Sequence, residues 1–189
     1  DIPNQAPRHA WALARVGVAR TSIPVVIANP FDAGGTVPIA CTVDAHVGLS
    51  PGRRGIHVSR IGHVLADLAR QPHDTLQHYA VALRDRLAEV QQCDTAEVAV
   101  SGVLSYVEQG GGAARRASIE HLTLSAEARH RDGRTEAGHG IAFNHITACP
   151  CVQQTYRHAV AVPDGEGSAA VDARLPPPTH TQRCHTRIA

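Results

Sequence analysis

The chain has 189 residues, 43% of them hydrophobic and 19% charged, with a formal net charge of +1. That length supports one ordinary core or two small modules packed together. No apolar run approaches the ~18 residues of a transmembrane helix, no signal-peptide pattern is visible, and the near-neutral charge argues neither for nor against nucleic acid.

All 18 basic residues are arginine. Any anion site must therefore use guanidinium forks, backbone amides or protonated histidine. The five cysteines, at 41, 93, 149, 151 and 184, are odd in number and unevenly spaced. That is no disulfide framework, and reduced thiols in the cytoplasm are expected.

In chain order, DIPNQAPRHAW reads as an extended lead-in, and residues 1–34 are assigned to it. From Val37 the alternation is clean. Val37, Ile39, Cys41, Val43, Ala45 and Val47 point one way, against Pro38, Thr42, Asp44 and His46, so a half-buried strand is predicted. Ser50-Pro51-Gly52 closes it. A helix follows with Val58, Ile61, Leu65 and Leu68 on one face, stopped by Gln71-Pro72. Asp74 or Thr75 can cap a second helix, whose face is Leu76, Ala80, Leu83, Leu87 and Val90.

Strands return at 96–107, through Val98, Val100, Leu104 and Tyr106, and more weakly at 117–127. Between them GGGAARR at 110–116 reads as a loop. The turn RDGRTEAG leads into a strand at about 140–147 that delivers the chain to Cys149. Residues 163–179 read as a long loop, and HTQRCHTRIA as the start of another strand. The order describes an α+β fold with a largely antiparallel sheet. Its edges need pairing or cover, so oligomerisation is expected.

Three stretches carry chemistry. Cys149-Pro150-Cys151 stands at a strand end; a proline-stiffened tripeptide reaches disulfide geometry poorly, which leaves a metal ligand, a nucleophile or two small buried hydrophobes. Thr179-His180-Thr181-Gln182-Arg183-Cys184-His185 concentrates imidazole, amide, guanidinium and thiol groups, or is a polar surface strand. Arg53-Arg54-Gly55-Ile56-His57-Val58-Ser59-Arg60 is a basic turn running into a helix start. Amides and the helix dipole favour an anion such as phosphate there; a solvated arginine cluster is the alternative.

Taken together, these stretches resemble the type IB GTP cyclohydrolases. RRGIHVSR resembles that family's G-[IT]-H-M-S-R motif, with Val58 for the usual methionine. TACPC matches its cysteine motif, and THTQR resembles its H-N-Q-R motif. DIPNQ and the VGV at 16–18 resemble its start. The resemblance implies a tunnelling fold built from β-β-α-α-β-β modules, an antiparallel sheet with paired helices. A first module would span 35–127, and an incomplete second one 128–189.

It also implies a cytoplasmic homo-oligomer with interfacial active sites and GTP as substrate. Neither nucleic acid nor a membrane is expected as a partner. The family opens the guanine imidazole ring at C8 and releases formate. The product is 7,8-dihydroneopterin triphosphate, or a cyclic phosphate, for folate or related pterin synthesis. Cys149 and His180 would hold a divalent metal (Zn, Fe or Mn), with His57 also catalytic. Arg54, His57, Ser59, Arg60, Gln182 and Arg183 would contact substrate, and Cys151 would support the site. The family continues past H-x-Q-R with further metal ligands, and Ala189 precedes them; a missing continuation is expected. Two other readings remain: a non-catalytic or truncated tunnelling-fold protein that binds a purine or pterin, and a relative using Cys149 as a covalent nucleophile.

Overall fold

The computed structural model describes residues 2–109, 117–131, 133–152, 154–155 and 181–189. The loops expected at 110–116 and 163–179, and His180, lie outside them. The elements are β1 (Leu13–Ala28), β2 (Thr36–Leu49), α1 (Val58–Ala69), β3 (Pro72–His73), α2 (Leu76–Gln91), β4 (Ala96–Gln109), β5 (Ala117–Arg131), β6 (Arg134–Ala148) and β7 (Thr181–Ile188). This is an α+β fold with a seven-stranded sheet in the order β3-β1-β2-β4-β5-β6-β7. The sheet is mixed, because two-residue β3 pairs parallel with β1, Val26 opposite Pro72 and Ile27 opposite His73. The chain forms two compact units, one of residues 1–142 with 187–189, the other of 143–186.

β2 buries Ile39, Cys41, Val43, Ala45, Val47 and Leu49, the alternation the sequence predicts, extended by one position. β1 is a 16-residue strand inside the expected lead-in. Its alternation is hidden because its register against β2 shifts twice, between Leu13 and Val16 and between Val18 and Thr21. At the second shift Arg20 adopts a left-handed backbone (φ 52°). Its amide donates to Asp44 Oδ1 at 2.6 Å, which offsets part of the strain. Gly17 lies between the shifts, and a Cβ there would stand 2.0 Å from the Ala45 carbonyl oxygen. The bulged strand thus approaches β2 at a point only glycine permits.

α1 buries Ile61, Val64, Leu65 and Ala69. Val58, assigned to that face from the sequence, is 56% exposed, because it begins the helix before the face meets the sheet. Thr75 caps α2, its hydroxyl accepting from the His78 amide at 3.1 Å. The buried face of α2 takes Leu76, Tyr79, Ala80, Leu83, Arg84, Leu87 and, at its last position, Gln91, and the expected Val90 is half-buried against the same core. Both helices pack on the first unit's strands to form one core.

Within that core Cys41 is 1% exposed, and burial pushes its thiol from 9.0 up to about 11. An unfolded chain releases this proton near 9.0, whereas the native chain keeps it to about 11. Stability is therefore full below pH 9 and falls as pH rises toward 11. Tyr79 is raised as well, by burial and then by the Cys41 charge, and adds to the loss. We expect the urea midpoint to drop steadily between pH 9 and 11, and a Cys41→Val variant to lose part of that slope. A flat midpoint through this window would contradict the assignment.

Candidate active site

In the first unit the basic turn enters α1 at His57, which occupies the N-cap position without a side-chain capping bond. A side chain from the far end of the other helix caps the peptide instead. Gln91, fully buried, accepts from the His57 amide through Oε1 at 3.0 Å and donates from Nε2 to the His57 carbonyl at 2.8 Å. Arg53 Nη1 donates to the Gln91 carbonyl. Arg60 Nη1 donates to the Val90 carbonyl at 3.1 Å. The start of α1 and the end of α2 are therefore tied by four contacts.

The lead-in closes the other side of the turn. The Pro3 carbonyl accepts from the amides of Arg54 (3.0 Å) and Gly55 (3.3 Å), and Arg54 Nη1 donates to Gln5 Oε1 at 3.1 Å. Ser59 and Arg60 are exposed in the first turn of α1, which carries no acidic residue. Burial, then the positive charges of Arg60 and Arg53, lower the pKa of His57. The imidazole is thus biased to its neutral form, which can accept a proton or a hydrogen bond, and the positive charge at this helix start is carried by the arginines.

The second unit holds the cysteine motif. β6 ends at Ala148 and a helical turn opens at Pro150, which fits proline's preference for the first helical position. Cys149 stands between them, half-buried. The Val152 amide lowers its thiol pKa most; partial burial opposes this, and the Cys151 amide and thiol add to the lowering. Hydrogen bonds to the charged form favour a thiolate. Cys151 is exposed, and its carbonyl accepts from Thr155 Oγ1 at 3.0 Å.

β7 lies along β6 in this unit. Thr147 Oγ1 donates to the Gln182 carbonyl at 3.4 Å and lies 3.8 Å from Cys184 Sγ. His185 Nδ1 is 3.0 Å from Asn144 Oδ1. Gln182 and Arg183 are exposed on β7.

The structure therefore gathers Arg54, His57, Ser59 and Arg60 at one helix start in the first unit. Cys149, Gln182 and Arg183 belong to the second, and His180 lies outside the described residues. Among the described residues no group of three His, Cys, Asp or Glu converges as a metal set. Of the expected ligand pair, Cys149 lies among the described residues: a thiol that amides hold toward its charged form, which is the form divalent zinc and its neighbours bind. Sequence reasoning missed Gln91, and placed Arg53 in the basic turn without its bond to the Gln91 carbonyl. Gln91 could have been found from its spacing, four residues beyond Leu87 on the buried face.

Over residues 1–189 the chain matches the family Type I GTP cyclohydrolase folE2, and it belongs to that family. It is similar to the GTP cyclohydrolase MptA of Thermoplasma volcanium, 25% identical over the whole chain and 62% of the relative. The GTP cyclohydrolase MptA of Thermoplasma acidophilum is 24% identical over the same shares. That of Korarchaeum cryptofilum is 26% identical over 97% of the chain and 56% of the relative. The chain thus spans about three fifths of the length of these relatives.

Proposed function

We propose that the chain is the larger part of a type IB, metal-dependent GTP cyclohydrolase. It opens the guanine imidazole ring at C8, releases formate and yields 7,8-dihydroneopterin triphosphate or its cyclic phosphate for a folate or related pterin route. The observation that carries this reading is Cys149, a thiol biased to the thiolate by neighbouring amides in a chain of this family. The relatives' description as GTP cyclohydrolases supports it.

Cys149 and His180 would hold the metal, Zn, Fe or Mn; when bound, such an ion supplies a water acidic enough to attack at neutral pH. Arg54 and Arg60 hold the triphosphate by paired N–H donors, and Ser59 adds a hydroxyl at the helix start. His57, biased neutral, accepts and returns a proton at the purine. Gln182 and Arg183 contact the substrate from β7, and Cys151 sustains the Cys149 charge. In this reading the β-strand and helix order is a tunnelling-fold module, and copies assemble in the cytoplasm with active sites at their interfaces.

The test uses the natural full-length protein, stripped of metal and then loaded with Zn, Fe or Mn. Formate release and pterin fluorescence from GTP are expected only after loading. Tight GTP binding without formate in every loaded form would overturn the reading and leave a non-catalytic purine binder. Metal-free turnover blocked by thiol alkylation would instead make Cys149 a covalent nucleophile.

A further inference from the structure

The sheet face opposite the helices carries a charged row that the chemistry above leaves unused. Register sets His46 opposite Glu97 and Glu97 opposite Arg129, and Arg15 of β1 lies 3.3 Å from His46 Nδ1 through Nη2, so the row crosses four strands. Glu97 is the hub. Its Oε2 lies 2.8 Å from Arg15 Nε, its Oε1 lies 3.3 Å from Arg129 Nε, and Arg129 Nη2 also meets Glu127 at 2.8 Å. The side chain of Glu97 is 29% exposed, against 61% for Arg15 and 52% for Arg129. The acid is recessed, and the two guanidinium groups it orients stand above it.

Beside this row opens a cavity of about 530 Å³ whose lining holds four arginines (15, 129, 131 and 134) and two glutamates, Glu97 and Glu136. A second cavity of about 460 Å³ shares Ala14, Thr95 and Arg131 with the first and reaches Arg53. Arginine in this excess, with forks fixed by a deeper carboxylate, suits phosphate oxygens better than a single carboxylate. Among the described residues no Phe, Tyr or Trp lines either cavity, so bases have none of these rings to stack on there and single-stranded nucleic acid is disfavoured.

We infer that this groove is a polyphosphate-binding site, with Arg15, Arg129 and Arg134 as its contacts. The ligand is either the triphosphate tail of the proposed substrate, reaching along the sheet end from Arg53, or a separate phosphorylated small molecule. The inference stands without the proposed catalysis; only the choice of source rests on it.

The test is titration calorimetry of inorganic tripolyphosphate, and separately of GTP, into the natural full-length protein at low and high salt. Loss of two charged contacts in Arg129→Gln/Arg134→Gln is expected to weaken tripolyphosphate at least about tenfold and to flatten its salt dependence. GTP weakened in parallel identifies the substrate tail; GTP unchanged identifies a separate ligand; either supports the groove. Tripolyphosphate affinity unchanged in this variant, or lost in Arg54→Gln/Arg60→Gln but not in it, would overturn the inference. Circular dichroism checks the fold. Should the double variant unfold, Arg134→Glu alone, at an exposed position, must weaken tripolyphosphate and Arg134→Lys must restore it.

Discussion

Replacing Gln91 by leucine is expected to lower the melting temperature and to loosen the basic turn at once. Leucine fills a similar volume but offers neither the acceptor for the His57 amide nor the donor for its carbonyl. The site is fully buried, so water cannot replace them. An unsatisfied buried group costs about 1–3 kcal/mol, and the lost bonds add to that, giving roughly 2–4 kcal/mol in all. For a domain of this size that corresponds to a fall of roughly 5–15 °C.

Arg53 also rests on the Gln91 carbonyl, which leucine retains. The displacement should therefore centre on His57 and the first turn of α1. Calorimetry gives the stability. Hydrogen exchange at the start of α1 and the end of α2 separates this from a general loss, since both ends should speed up together. Unchanged melting with unchanged exchange would show that the clamp is idle.

Cys149→Ser is expected to reduce formate release from GTP by more than ~100-fold in the natural full-length, metal-loaded protein, a loss at least as large as that of a residue supporting a metal ligand. Serine keeps the shape and gives up the ionisation. The alkylation of wild-type Cys149 by iodoacetamide should confirm the charge behind the effect. Its pKa is held below 9.0, so thiolate reactivity persists below pH 9.0 and disappears only as pH falls through the lowered value. Cys41 reacts last because its thiol is buried and raised. Cys93→Ser, which can keep the bond to the Thr95 carbonyl, serves as the control with full turnover. Near wild-type formate release by Cys149→Ser would remove the thiolate from the reaction.

Much of the fold was legible because β2 and α2 bury one side each, and such faces write a period into the sequence. β2 reads as strict alternation from Val37 to Val47. β1 does not, because a bulge at Arg20 turns later residues to the other side, and a pattern that changes phase looks like no pattern. Gln91 was passed over for another reason: its spacing from Leu87 marks it as buried, but an amide at a helix end is read as a surface residue until its two partners are placed. The basic turn was readable from RRGIHVSR, since arginines and a helix start state their own electrostatics. The charged row centred on Glu97 was not, because Arg15, His46, Glu97 and Arg129 come from four strands, and only register makes them neighbours.

The carbonyl of Pro3 has a further consequence. By taking the amides of Arg54 and Gly55, it consumes two donors that a glycine-containing turn could otherwise wrap around a phosphate, as a nest does. The amides of Arg60 and Ile61 are likewise turned to the His57 carbonyl. Anion binding at this turn, where the proposed function puts it, therefore falls to side-chain forks and not to a backbone cradle. Forks of exposed arginine are long-range, salt-screened and indifferent to the exact phosphate geometry. On the proposed function, the turn captures an anion by charge and leaves discrimination of the base to other parts of the protein.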